Sequence, residues 1–317
     1  MRVLVTGADG FVGRHLVEQL VQEGHDVSAG CRLGGEAAES WLSPLATDRT
    51  TLVPLEVSDS ASVRSALSRP LDAIVHLAAV ASGSEARQDP GRAWVVNAAG
   101  TARVADAAVT LRNAGGVDPV VLVVSSAEVY GDGPPTPRVE TDPLAPQSPY
   151  AASKVGTEVA ALEAWRRAGL RVVIARAFPH TGAGQSLLYV VPAFLQRLRA
   201  AHAAAVDHVP TGNLEPVRDL LDVRDVVRAY VALLQHGVPG EAYNVSRGEG
   251  VTLKELFTRL AGLVGVRVEP VTDPTLMRAG DIRYLVGNAG KLKQATGWSP
   301  RISLEQTLRD MVDAQAY

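Results

Sequence analysis

The segment Arg2-Val3-Leu4-Val5-Thr6-Gly7-Ala8-Asp9-Gly10-Phe11-Val12-Gly13 decides how the rest of the chain is read. Residues 3–5 form a short aliphatic run, and residues 14–23 place apolar side chains at helical spacing. The glycines therefore stand on a strand-to-helix turn. Without Cβ atoms at Gly7 and Gly10 the backbone can turn tightly and approach a pyrophosphate, whose charge meets free amides at the helix start. Gly13 lets the helix pack closely on the strand. The spacing Gly-x-x-Gly-x-x-Gly differs from the commoner dinucleotide fingerprint, and a glycine triplet alone also serves plain turns. The flanking strand and helix make cofactor binding the stronger reading.

Outward from this turn, short β-branched runs alternate with helical patterns. Residues 3–5, 26–30, 52–55, 73–77, 120–124 and 171–175 read as strands, with helices near 11–23, 59–68, 92–113 and 150–168. That alternation predicts an α/β fold: a Rossmann-type doubly wound parallel sheet, joined by a smaller C-terminal substrate-binding lobe. Val120-Val121-Leu122-Val123-Val124 is continuously apolar, as a strand covered on both faces should be. Beyond 177 the alternation weakens. Asp222 is placed to cap a helix ending before Gly237, and Thr252 and Ser303 each open a capping-box pattern. Residues 1–177 are expected to form the cofactor domain, with 213–247 returning to it. The substrate lobe then comprises 178–212 and 248–317.

Hydrophobic residues make up 46% of the 317 and charged ones 21%, ordinary for a globular protein. A net charge of −3 without basic runs argues against nucleic acid as partner. No apolar stretch reaches the roughly 20 residues needed to span a bilayer, so no membrane partner is expected. The first residues read directly as a strand, without signal-peptide layout. Cys31 is the lone cysteine, which excludes an intrachain disulfide and a cysteine-cluster metal site. The scattered histidines form no ligand pattern either; no metal and a cytoplasmic setting are expected.

Tyr150 and Lys154 lie four apart in Ser148-Pro149-Tyr150-Ala-Ala-Ser-Lys154, on one face of a helix that Pro149 can open. A neighbouring ammonium is expected to lower the Tyr150 pKa from about 10 toward neutrality. Taken alone, such a pair is a common surface arrangement. A third polar group is expected at the carboxyl end of strand 120–124, where Ser126 is the choice and Ser125 the alternative. Strand two ends in Cys31-Arg32, with a guanidinium where NAD-binding sheets usually carry an acid. Arg32 therefore predicts NADP(H) over NAD(H), with NAD(H) as second candidate; the plain alternative is a solvated arginine.

With these motifs together, the chain resembles the extended short-chain dehydrogenases of the nucleotide-sugar epimerase/dehydratase family, along nearly its whole length. The resemblance implies a Ser126–Tyr150–Lys154 catalytic triad. It places Gly7, Gly10, Phe11, Val12 and Gly13 at the cofactor, Leu77-Ala78-Ala79 along the nicotinamide ribose, and Glu56-Val57 beside the adenine. Asn97 matches an asparagine that supports the active-site helix, and Pro179, where the family often has Asn, is expected to wall the nicotinamide pocket.

Later motifs sharpen this. Gly212-Asn213-Leu-Glu-Pro-Val-Arg218-Asp219, Asp222-Val-Arg-Asp-Val-Val-Arg-Ala-Tyr230 and Phe178 with His180-Thr-Gly-Ala-Gly-Gln185 resemble the family's GDP-6-deoxy-D-mannose reductase branch. That resemblance implies NAD(P)H-dependent reduction of a nucleotide-linked 4-keto-6-deoxy sugar, GDP-4-keto-6-deoxy-D-mannose giving GDP-D-rhamnose. Ser126, Glu128, His180, Asn213, Arg218 and Arg278 become the substrate contacts, the two arginines suiting a diphosphate. Ala127 replaces the Asp of thymidine-type dehydratases, while Glu128 leaves a GDP-mannose 4,6-dehydratase partly open. A nucleotide-sugar 4-epimerase and a non-catalytic NADP(H) sensor are the other rivals. Family members usually pair as homodimers through two helices each, here 92–113 and 150–168.

Overall fold

The computed structural model describes residues 1–32, 41–115, 117–277 and 280–314. Seven parallel strands form the central sheet: β1 (Arg2–Thr6), β2 (Asp26–Cys31), β3 (Thr50–Pro54), β4 (Ala73–His76), β5 (Val120–Ser126), β6 (Arg171–Ala177) and β7 (Ala242–Val245). Their order is β7-β6-β5-β4-β1-β2-β3, so the strand order reverses between β1 and β4. Connections leave the sheet in opposite directions there, which opens a crevice at the carboxyl ends.

Alternate residues of each inner strand feed two cores. Val3, Val5, Val75, Leu122 and Val173 face one side, together with Leu16 and Leu20 of α1 (Phe11–Gln22). Leu4, Ile74, Val121, Val123 and Ile174 face the other. There they meet Val104 and Ala108 of α2 (Gly100–Asn113) and Ala161 of α3 (Pro149–Ala168). Strands buried on both faces must be apolar throughout, which is why the aliphatic runs predict their positions well.

A third core lies apart from the sheet. It joins α4 (Val190–Ala204), α6 (Leu253–Val264) and α7 (Leu304–Asp313) through Leu195, Leu198, Leu256, Leu260 and Leu308. Phe194 and Phe257 meet edge to face there, with centroids 5.4 Å apart. Between the two regions, α5 (Val223–His236) packs against α1, capped by the Asp222 side chain on Arg224 N. Thr252 and Glu255 complete a reciprocal capping box on α6. Leu292 and Trp298 join the core of the sheet rather than that of the helices.

One expected element is broken. The pattern at 92–113 predicts a continuous helix, whereas Val95–Ala99 forms a π-helical turn before α2. The Asn97 carbonyl accepts the hydroxyls of Thr101 at 2.6 Å and Thr157 at 3.0 Å. These side chains satisfy the carbonyl at the point where the helical ladder is widened.

Candidate active site

A cleft of about 850 Å³ runs along the carboxyl ends of the strands, from Arg32 and Glu56 to Arg218 and Leu285. The glycine turn forms its floor. Gly7 has φ +68°, and a Cβ added at Gly13 would stand 2.3 Å from the Gly7 carbonyl oxygen. Both positions therefore need glycine. Helix α1 begins at Gly10 with no side-chain cap and no acid in its first turn, although Asp59, Ser148, Asp222 and Thr252 each cap their own helices. Its first amides are left for an anion. The Thr6 hydroxyl accepts the amides of Leu77 at 3.2 Å and Ala78 at 3.0 Å, which fixes the stretch Leu77-Ala78-Ala79 over the turn.

At the far end Glu56 accepts the hydroxyl and amide of Ser58 at 2.7 and 2.8 Å. Those bonds hold its carboxyl below the usual range, helped by the nearby Arg32. Phe11, Val12, Val57 and Pro179 also line the cleft, so every residue expected at the cofactor reaches it. An uncapped helix start on a glycine cradle, with a guanidinium at the end of β2, fits a dinucleotide with an extra phosphate on its ribose.

The three expected catalytic side chains converge midway along this cleft. Ser148 caps α3 and Pro149 opens it, placing Tyr150 in the first turn and Lys154 one turn later. The Ser126 side chain lies close enough to the Tyr150 hydroxyl to lower its pKa. Lys154 Nζ donates to the Val124 carbonyl at 2.6 Å. Burial pushes Lys154 down to about 8, with Glu158 opposing.

The expectation for Tyr150 is overturned. Its pKa is raised rather than lowered, first by burial and then by the Glu128 carboxylate, with the Ser126 side chain acting the other way. In the cleft, desolvation of a phenolate outweighs any help from Lys154, whose ammonium is directed at a backbone carbonyl. Ser125, the alternative third member, points elsewhere and donates to Glu158 at 2.6 Å.

Of the expected substrate contacts, Glu128, His180 and Arg218 line the cleft. The His180 ring stacks on Phe11 with an interplanar angle of 6° and bonds the Phe178 carbonyl at 2.9 Å. Arg218 pairs with Asp281 at 2.7 Å and donates to the Ile282 carbonyl. Asn213 does not reach the cleft. Its side chain accepts the Glu215 amide at 3.0 Å, closing a local turn that the loop chemistry favours. Arg278 lies outside the described residues. Among the cleft residues that escaped the sequence reading are Arg92 near the adenine end and Tyr189 across from Tyr150. Arg92 lay within an expected helix, and Tyr189 precedes α4 without a spacing pattern to mark it. Among the described residues no His/Cys/Asp/Glu group is arranged to hold a metal, and no helix is long and apolar enough to cross a membrane.

Comparison with known proteins agrees with this geometry. The family model described as GDP-mannose 4,6 dehydratase matches residues 4–311. The GDP-6-deoxy-D-mannose reductase of Pseudomonas aeruginosa is 33% identical over 313 residues, covering 97% of this chain and 95% of that one. The UDP-glucose 4-epimerase of Mycolicibacterium smegmatis is also 33% identical, covering 99% and 98%. The structure of RMD from Pseudomonas aeruginosa complexed with NADPH superimposes with a TM-score of 0.81 at 32% identity, covering 98% and 97%. This chain belongs to the epimerase/dehydratase family of extended short-chain dehydrogenases and reductases, in the group that the GDP-mannose 4,6 dehydratase model describes.

Proposed function

We propose that this chain is an NADPH-dependent reductase of a nucleotide-linked 4-keto-6-deoxy sugar, with GDP-4-keto-6-deoxy-D-mannose reduced to GDP-D-rhamnose as the first candidate. The observation that carries this reading is the convergence of Ser126, Tyr150 and Lys154 midway along the cleft, with the Tyr150 pKa raised by desolvation. Ketone reduction needs a proton donor at the new alkoxide, and a phenol with a raised pKa arrives in the donor state. The likeness to the Pseudomonas reductase and to its NADPH-bound structure supports the substrate class and the cofactor. Arg32 supports NADP(H) over NAD(H), which stays the second candidate.

Bound NADPH supplies the hydride. The glycine turn and the first amides of α1 hold the pyrophosphate, and Leu77, Ala78, Ala79 and Pro179 line the nicotinamide half. Ser126 orients the carbonyl oxygen while Tyr150 releases its proton to it. Lys154 holds the nicotinamide ribose and offers positive charge as the phenol becomes a phenolate. Arg218 faces the diphosphate, and His180 and Glu128 the sugar. In this reading the cofactor rests on residues 1–177 and 213–247, and the sugar nucleotide is closed in by 178–212 and 248–317. The active unit is a homodimer paired through 92–113 and 150–168.

A second reading, 4,6-dehydratase, is favoured by one observation: Glu128 lies close enough to Tyr150 to raise its pKa. Ala127 is packed with Val129 and Phe178, so Glu128 is the acid nearest the triad on this segment. Both readings are tested by one screen. The protein is incubated with NADPH and 4-keto-6-deoxy sugars carrying GDP, dTDP, UDP or CDP, and separately with GDP-mannose and NADP⁺. Oxidation of NADPH with a reduced sugar product supports the reductase, and a 4-keto product from GDP-mannose supports the dehydratase. Tyr150→Phe should bind NADPH with wild-type affinity and lose at least about a thousandfold in turnover. Retained turnover in that variant overturns the assignment of Tyr150.

A further inference from the structure

The last three residues of β5 are each tied to α3, at positions one helical turn apart. The Ser126 side chain meets Tyr150, the Val124 carbonyl accepts Lys154 Nζ at 2.6 Å, and Ser125 Oγ donates to Glu158 at 2.6 Å. Residues 150, 154 and 158 share one helix face at a spacing of four. Two of these three rungs belong to the reacting pair. The third, Glu158, is 3% exposed and does not line the cleft.

Glu158 is also the centre of a buried ion pair. Arg176 of β6 grips it with Nε at 3.0 Å and Nη2 at 2.8 Å. Arg176 Nη1 in turn donates to the Tyr130 hydroxyl at 3.0 Å, which donates to Asn244 at 2.6 Å on β7. A buried pair of this kind is a poor source of stability, because desolvating two charges offsets most of their attraction. Its position, one turn below Lys154 and bonded to the residue beside Ser126, is better explained by the reaction.

We propose that Glu158 is a positioning residue for the reaction: through Ser125 and its own charge it holds the end of β5 and the Lys154 ammonium in the geometry that Tyr150 needs. The inference rests on the reading of Tyr150 and Lys154 as the reacting pair. The charges around Lys154 agree with it. From β4, His76 stands close and is neutral; from β6, Arg176 is paired with Glu158; beyond Tyr150 lie Glu128 on the segment after β5, Tyr189 before α4 and Tyr230 of α5. Glu158 is the carboxylate that supports the ammonium against burial.

The test reads the protonation of Lys154 without using turnover. NADPH dissociation constants are measured by fluorescence between pH 6.5 and 10 for wild type, Glu158→Asp and Glu158→Gln/Arg176→Met. The double variant avoids leaving a buried arginine unpaired, and Glu158→Asp keeps the charge. Wild type should bind more weakly as Lys154 loses its proton above about pH 8. In the double variant that limb should move to lower pH, because Glu158 and not Arg176 is the charge that acts on Lys154, and NADPH should bind severalfold more weakly above both midpoints. Glu158→Asp should keep the limb where wild type has it. A double variant that folds and shows the wild-type limb overturns the role of Glu158 alone. A wild-type protein with no alkaline limb removes Lys154 from the cofactor site, and the inference falls with that reading.

Discussion

Arg32 stands at the end of β2 with its side chain exposed on the rim of the cleft, beside Glu56. The neighbouring carboxylate is already held by Ser58, and Arg92 at the same end is paired with Glu85, so the Arg32 guanidinium is the one suited to a phosphate. A charge-assisted contact of this type contributes about 1.5–3 kcal/mol. Arg32→Ala should therefore weaken NADPH binding by roughly ten- to a hundredfold and leave NADH nearly unchanged, as read by fluorescence titration of both. NADH bound as tightly as NADPH by wild type, with no loss in the variant, would remove the cofactor preference. The same residue-by-residue reading places Tyr150 differently from its sequence expectation. Four-residue spacing correctly put it beside Lys154, but spacing carries no information about burial, and burial sets the direction in which the phenol's pKa moves.

The elements of the site are joined by a chain of hydrogen bonds beneath it. The Thr101 hydroxyl donates to the Asn97 carbonyl, so it accepts from His76 Nε2 at 3.0 Å. His76 Nδ1 then accepts from Thr6, 2.9 Å away, at the end of β1. Asn97 continues the chain to Val80 and to Ser153 on α3 at 2.8 Å. A single neutral imidazole thus links the glycine turn to the catalytic helix. Burial, with the Lys154 charge adding to it, pushes His76 down to about 3. Because its folded pKa lies below the unfolded value near 6.5, His76 contributes stability that is present above pH 6.5. That contribution is lost as pH falls from 6.5 toward 3. Urea unfolding at pH 7, 6 and 5 should show wild type losing about 1.4 kcal/mol per pH unit more than His76→Gln below pH 6.5. Parallel pH dependence of the two proteins would show that His76 titrates normally. In the sequence His76 reads as an ordinary strand-end residue, since its partners lie 25 and 70 positions away.

At the scale of the whole molecule, an apolar patch is exposed on the helices beside the cleft. Trp94 and Val95 are exposed, Val95 at the edge of the cleft, and so is Val159 of α3, at 61%. The Trp94 ring lies directly over Gly156, so these residues form one continuous face of the helices proposed to pair. Light scattering should give a dimer mass at micromolar concentration, and Val159→Glu with Trp94→Glu should give a monomer with unchanged melting temperature. A monomeric wild-type protein would overturn the pairing.

The order of strands and helices, the glycine cradle and the Tyr150–Lys154 pair were legible in the sequence itself. Each rests on short-range physics: apolar periodicity, the absence of Cβ atoms, and the four-residue repeat of a helix. A place at the carboxyl end of a parallel strand pointed to Ser126, and family resemblance added the cofactor stretches. Tertiary structure alone decided that Ser125 turns to Glu158, that Asn213 stays in its own loop, and that Tyr189 and Arg92 enter the cleft. It also decided the direction in which the Tyr150 pKa moves. The physical reason is shared: desolvation and ion pairing depend on which distant segments close around a group, and no local spacing encodes that.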